Sequence, residues 1–324
     1  MPDYAGPAAM ENKPDFTGSP THQLASQLVV QTPSSGLRRI RFGNSGDGGY
    51  VLLDAGLDQV EAFYSYGISD DYSFDLGFGA ATGARGRLYD PTVDYPPEIA
   101  PGLSFYKTGL ACNQGTISDH IESNGDGGKR MVLKVDTEGH EWIWLKETTR
   151  EELCQFDQIV IELHGLCSES RHQEFAKSLE KLNRSFSLFH VHANNLSGLH
   201  EIQGCLIPDL LECSFVRRDI CECVANTTVI LPIPGIDFCS IESYADWPLD
   251  YWPFISGQPA ETEIRARESV LRQAINHQEI TRLRRALKHA TFELDCHNKS
   301  AASRLAALLR NALPKARNAG VQTS

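Results

Sequence analysis

Several familiar signatures are missing from this chain, and each absence removes a class of protein. No apolar run approaches the roughly 18 residues that a membrane-spanning helix needs, so no membrane span is expected. The nine cysteines are odd in number and irregular in spacing. Cys221 and Cys223 form one Cys-x-Cys pair with no second pair at zinc-finger distance, which favours reduced thiols over a disulfide framework or a zinc module. Residues 1–20 are polar and rich in Pro, Gly and Asp, without the apolar core of a signal peptide. A cytoplasmic protein is expected. No internal repeat is found. The turn after the first core strand carries neither the Gly-x-Gly-x-x-Gly of dinucleotide enzymes nor the Gly-Lys-Ser/Thr of a phosphate-binding loop, which argues against NAD and ATP.

What is present supports a sizeable folded body. The chain has 324 residues, 41% hydrophobic and 22% charged, enough for a substantial core. Its net charge of −12 is unevenly spread: residues 261–324 hold 12 Lys/Arg and 6 Asp/Glu (+6), leaving 18 and 36 (−18) for residues 1–260. An acidic main domain opposes nonspecific nucleic-acid binding, which depends on neutralising phosphates. Only the basic tail could serve that purpose.

The pattern along the chain predicts a disordered leader over residues 1–20, a main domain over 21–260 and a basic helical tail over 261–324. A helix is expected over 22–31, then a hairpin of runs 37–42 and 50–53 around a glycine-rich loop. From residue 60 strands and helices alternate, as in a parallel sheet with helical crossovers. Strands are expected at 60–66, 86–89, 103–107, 130–135, 158–163, 187–192, 211–216 and 227–231. Helices are expected at 72–81, 117–123, from 142, and at 171–183, the first capped by Ser69 or Asp70. Residues 241–260 are expected to wrap the surface. In the tail, Leu283, Leu287, Ala290 and Leu294, then Leu305, Leu308, Leu309 and Leu313, form two apolar stripes suited to docking on the domain, a partner or a second copy.

Four places carry candidate chemistry. The turn Tyr64-Ser-Tyr-Gly-Ile-Ser69 joins a strand to a helix start, where free backbone N–H groups can receive an anionic ligand group. Asp90 ends the next strand, about 20 residues on, where nucleoside-binding α/β folds place a carboxylate on the ribose hydroxyls. Asp136, Glu138 and His140 follow the 130–135 strand; a carboxylate there can bind a cationic group, act as a base or hold a metal. Glu141, directly before an apolar helical run, fits helix capping. His164 and His192, at the ends of later strands, are candidate bases or metal ligands near neutral pH, with Asn194 beside the second. No spacing motif demands a divalent metal.

The segment Leu133-Lys-Val-Asp-Thr-Glu-Gly-His-Glu-Trp142 resembles the Leu-Lys-x-Asp-x-Glu-Gly-x-Glu signature of FkbM-like methyltransferases and the related methyltransferase-like families. Asp47-Gly-Gly-Tyr50, Tyr89-Asp-Pro91, Ile161-Glu-Leu-His164, His192-Ala-Asn-Asn195 and Pro208-Asp-Leu-Leu-Glu212 agree with it in order, over roughly residues 37–218. The resemblance implies a Rossmann-like class I methyltransferase fold: a mixed, mainly parallel seven-stranded sheet with helices on both faces. It also implies S-adenosylmethionine as cofactor and a hydroxyl acceptor, often on a sugar. Carried over by position, Tyr66, Gly67 and Ser69 lie near the methionine end, Asp90 on the ribose, Thr108 and Gly109 beside the adenine, and Asp136 at the sulfonium end. The usual acidic residue and Gly-x-Gly of the cofactor loop are replaced by Tyr-Ser-Tyr-Gly-Ile-Ser, a form shared by related methyltransferase-like proteins.

Methyl transfer to a hydroxyl requires positioning and removal of one proton. His164 and His192 are the leading bases, with Glu138 next. O-methylation of a carbohydrate or small-molecule acceptor is the expected activity. A noncatalytic module that binds a partner through its helical tail is the competing expectation, and a metal-assisted transferase the third.

Overall fold

Seven runs rich in Val, Ile, Leu, Phe and Tyr become the strands of one sheet. They are β1 Ala62–Tyr66, β2 Arg85–Tyr89, β3 Leu103–Tyr106, β4 Met131–Val135, β5 Phe156–His164, β6 Phe186–Ala193 and β7 Leu210–Arg217. The helices around the sheet are α1 Pro20–Gln27, α2 Ser73–Thr82, α3 Ile117–Asn124, α4 Glu141–Glu147, α5 Arg150–Leu153 and α6 His172–Asn183, and residues 265–274 of the expected helical tail are helical as well. The computed structural model describes residues 16–34, 36–94, 99–110, 114–258, 262, 265–274, 276, 277 and 280. The chain divides into two compact units, Met1–Ala274 and Ile275–Ser324, and the sheet belongs to the first. Most of the expected leader and both leucine stripes of the tail lie outside the described residues.

The strand order is β3-β2-β1-β4-β5-β7-β6. Strands β1 to β5 are parallel, and β7 runs antiparallel to both β5 and β6. This is a Rossmann-like α/β sheet. The central strands β1, β4 and β5 are buried on both faces, which is why they read as unbroken apolar runs rather than alternating ones. Successive side chains enter opposite cores. Ala62, Tyr64 and Tyr66 join Met131, Leu133, Trp142 and Phe175 on one face, while Phe63 joins Val132, Val160, Phe74 and Phe78 on the other.

From β1 the chain builds β2 and β3 to one side, then crosses back to place β4 on the other. The carboxyl ends of β1 and β4 therefore flank a topological switch point, where open α/β sheets bind ligands. Trp142 locks α4 below this edge. Its ring stacks on Phe175 at 3.9 Å, and its Nε1 donates to the His164 carbonyl at 2.8 Å.

Smaller elements surround the sheet. The expected hairpin is present as strands Arg39–Phe42 and Tyr50–Leu53. It docks through Gln158 of β5, whose side chain accepts from Leu53 N and donates to Leu53 O, both at 2.8 Å. Two pairings have no counterpart in the local pattern: Gln31–Pro33 with Cys223–Ala225, and Leu199–Ile202 with Cys205–Pro208.

Several expectations are corrected. The first helix is Pro20–Gln27, not 22–31, because Ser19 caps it and Gln31 and Thr32 pair with a distant strand. Residues 227–231 form no strand; the Asn226 side chain takes Val229 N, Val229 O and Phe254 O, the groups a ladder would use. Residues 241–258 are irregular but not superficial, since Trp247, Leu249, Tyr251 and Phe254 are buried. Neither Ser69 nor Asp70 caps α2. The N-cap position is Tyr72, and the Asp71 carboxylate receives Ser73 N at 2.8 Å.

Candidate functional site

The turn after β1 is forced by packing. Gly67 has φ +76°, and a Cβ there would lie 1.5 Å from the Asp136 carbonyl oxygen. Only glycine tolerates that approach together with that backbone angle. The two turns at the ends of β1 and β4 thus sit in contact, and a cavity of about 270 Å³ opens beside them. Tyr66, Gly67, Ser69, Asp90, Gly109, Asp136, Glu138 and His140, all singled out in the sequence, line it with Tyr89, Thr92, Leu110 and Gln114. Thr108, His164 and His192 are not among its lining residues. Thr108 Oγ1 donates to the Gln114 carbonyl at 3.3 Å.

One wall is aromatic and neutral. Tyr66 and Tyr89 stack at 4.8 Å, Tyr89 on Tyr106 at 4.8 Å, and Tyr89 on His120 at 4.5 Å. The Tyr66 hydroxyl is hydrogen-bonded to His120 Nδ1 at 2.8 Å. Burial lowers the His120 pKa and raises that of Tyr66 well above the ordinary phenol value, so both stay uncharged at neutral pH. His120 has no sequence signal beyond its place on an amphipathic helix.

Asp90 serves the protein's own backbone. Its Oδ2 accepts from Ile68 N (3.0 Å) and Ser69 N (2.9 Å), and its Oδ1 from Thr92 N (2.7 Å) and Thr92 Oγ1 (2.6 Å). A carboxylate has about four lone-pair sites, and these four donors fill them. Burial opposes the charged form, but the donors outweigh it and lower the pKa. The free N–H groups expected at the turn are therefore consumed by Asp90. A ribose hydroxyl would have to replace the Thr92 hydroxyl to reach it.

The opposite end of the cavity is acidic. Asp136, with a side chain 24% exposed, faces Lys134 Nζ at 3.9 Å and accepts from the Tyr50 hydroxyl at 2.9 Å. Lys134 is itself buried and donates to the Gly67 carbonyl at 2.6 Å. Glu138 is 87% exposed with His164 Nε2 at 3.4 Å from its carboxylate, on a backbone with φ +51°. His164 Nδ1 lies 3.2 Å from Glu141 Oε1. Glu141 does more than the helix start asks of it: it is fully buried and also receives His164 N at 2.9 Å and Gly139 N at 2.8 Å, tying α4 to β5. Burial works against a charged His164, but Glu141, Asp136 and Glu138 outweigh it and raise the pKa.

Asp136, Glu138 and His164 bring one donor atom each within 4.8 Å of one another, the one such group of three among the described residues. A metal needs the unprotonated nitrogen of a histidine. The carboxylates around His164 favour its proton, which a metal would have to displace.

His192 occupies a different place. Only 1% exposed, it sits between Glu212 Oε2 (3.3 Å) and Asp246 Oδ2 (3.0 Å). Burial opposes its charge, yet these two carboxylates raise its pKa well above the ordinary value. It is a buried imidazolium away from the cavity wall. Asp47 and Asn194 stand between the two regions, with Asn194 Nδ2 donating to Glu162 Oε1 at 3.3 Å. Burial and the nearby Asp136 raise the Asp47 pKa. Sequence reasoning gave no role to Tyr50, Lys134 or Glu162. Each sits within an apolar stretch and reads as part of a strand.

No protein-family model matches this chain, and no curated protein matches it. Among solved structures, one described as "Putative hemolysin from Streptococcus thermophilus" aligns with 12% identity over 53% of this chain and 72% of its own, at a TM-score of 0.28. A superposition that loose bears on neither fold nor function.

Proposed function

We propose that this chain is an S-adenosylmethionine-dependent methyltransferase acting on a hydroxyl of a carbohydrate or small molecule. The observation that carries the reading is the cavity at the switch point, aromatic and neutral at one end and carboxylate-lined at the other. A flat adenine suits the end lined by Tyr89, Gly109 and Leu110, and a sulfonium suits Asp136 and Glu138. The signature segment that resembles FkbM-like methyltransferases delivers those two carboxylates, and the late antiparallel strand pair agrees with the sheet the resemblance implies. At about 270 Å³ the cavity is close to the ~300 Å³ lower bound of ligand pockets.

When bound, S-adenosylmethionine supplies an electrophilic methyl group whose leaving sulfur takes the bonding pair and becomes a neutral thioether. The chain's part is to align the acceptor oxygen, exclude water and receive one proton. His192 is sealed between two carboxylates away from the cavity, and the neighbours of His164 favour its proton, so both fit the role of base less well than the sequence suggested. Asp136 and Glu138 present carboxyl oxygens at the cavity, with His164 Nε2 3.9 Å from the first and 3.4 Å from the second.

Calorimetry with S-adenosylhomocysteine and transfer of labelled methyl to a sugar and glycan panel test the reading. Micromolar binding and label in the acceptor are expected. Failure of the full chain to bind either form of the cofactor would sink it. The four donors already on Asp90 favour a second reading, a noncatalytic binding module; cofactor binding without transfer to any acceptor selects it.

A further inference from the structure

Tyr50 has one hydroxyl proton and two carboxylates to satisfy. Its oxygen lies 2.9 Å from Asp136 Oδ2 and 3.2 Å from Glu162 Oε2. A phenol donates once. The second contact is a hydrogen bond only if that carboxyl is protonated and donates to the phenol oxygen.

The surroundings identify which carboxyl that is. Asp136 is partly exposed and has two cationic groups, Lys134 and His164, each at 3.9 Å. Glu162 is 4% exposed in the middle of the sheet. Its neighbour on β7, directly opposite in register, is Glu212, and like charges so placed repel. Asp47 and Asp136 face it from the loop before Tyr50 and from the end of β4, with Lys134 the one attractive charge. The nearby cations are engaged elsewhere: His192 by Glu212 and Asp246, His164 by Glu141 and Glu138, Lys134 by the Gly67 carbonyl. Glu162 is left with the Asn194 amide and the Tyr50 hydroxyl. An ionised carboxylate without a cation is costly to bury. Burial first, then the neighbouring carboxylates, push its pKa well above the usual range.

We propose that Glu162 is a neutral carboxylic acid that donates to Tyr50, committing the Tyr50 proton to Asp136, so that Tyr50 and Glu162 are positioning residues for Asp136 as the acceptor-side base. The protonation of Glu162 stands on the geometry; the service to a base rests on the methyl-transfer reading. With Asp136 Oδ2 occupied by Tyr50, Oδ1 is the oxygen left to take the acceptor proton.

Infrared spectroscopy of the full chain separates the two halves. At about pH 8 the wild-type protein is expected to show a C=O stretching band of a protonated carboxyl. The band should vanish in Glu162→Gln and persist in Asp75→Asn, since Asp75, raised by burial to about 6, is ionised there. No such band in the wild type, or one that survives Glu162→Gln, overturns the proposal whatever the variants' stability. In methyl-transfer assays, Tyr50→Phe should lower kcat by roughly tenfold with the KM for cofactor unchanged. Glu162→Gln, which keeps a donor for Tyr50, should cost kcat less than Tyr50→Phe does. A kcat unmoved by Tyr50→Phe defeats the positioning role. Absence of transfer in every form, with the band present, defeats the methyl-transfer reading and leaves the neutral acid standing.

Discussion

At the scale of single residues, this site is decided by which charges already have partners. His190 sits 2.8 Å from Asp237, His192 between Glu212 and Asp246, and His164 beside Glu141 and Glu138. His192 and His164, the two that looked like bases, are thus each held by carboxylate partners, and the carboxylates at the cavity inherit the chemistry. Asp75 gives a clean test of burial. It is fully buried in the first turn of α2, and desolvation raises its pKa from 3.8 to about 6. A folded pKa above the unfolded one means that the folded state binds the proton more tightly. That stabilisation is complete below about pH 4 and lost as the pH rises through about 6. Asp75→Asn should therefore gain on the wild type between those values, by up to about 3 kcal/mol for a shift of some two units. Urea unfolding at pH 4, 5, 6 and 7 measures it, and a pH-independent difference would contradict the assignment.

At the scale of elements, the hairpin Arg39–Phe42/Tyr50–Leu53 brings Tyr50 to the sheet, and Gln158 holds it there. The Gln158 amide copies a backbone pair, answering both Leu53 N and Leu53 O. Gln158→Leu keeps the volume but leaves both Leu53 groups buried without partners, each costing roughly 1–3 kcal/mol. Destabilisation by about 2–4 kcal/mol is expected from the denaturation midpoint. A loss under 1 kcal/mol would mean that water enters to replace the amide. The hairpin itself was legible, because two apolar runs flank a glycine-rich loop. Its docking was not. A polar residue inside the run 158–163 carries no mark of the strand end it meets 105 positions earlier.

At the scale of the whole molecule, the compact unit that holds the sheet carries most of the negative charge, and its cavity presents carboxylates at the switch point. A cationic ligand is the one this field favours. On the methyl-transfer reading, S-adenosylmethionine at about 100 times its Kd should stabilise the wild type by roughly 2.7 kcal/mol through linkage, read as a thermal shift. Gly67→Ala, whose Cβ would strike the Asp136 carbonyl, should unfold at lower temperature and show no such shift. A normal shift in Gly67→Ala would separate the cavity from cofactor binding.

The sequence by itself determined the seven core strands, the crossover helices and the acidic end of β4, because apolar period and turn residues act over a few positions. It also brought Asp136, Glu138, Asp90 and Gly67 to one edge, since parallel strands linked by helices place their carboxyl ends together. Only the tertiary structure decided which of those groups is free. Asp90 spends its lone pairs on Thr92 and the β1 turn, and His192 is sealed between two carboxylates. Tyr50 meets Glu162 across 112 positions. Protonation and vacancy belong to the neighbours of a residue in space, and local pattern does not encode those neighbours.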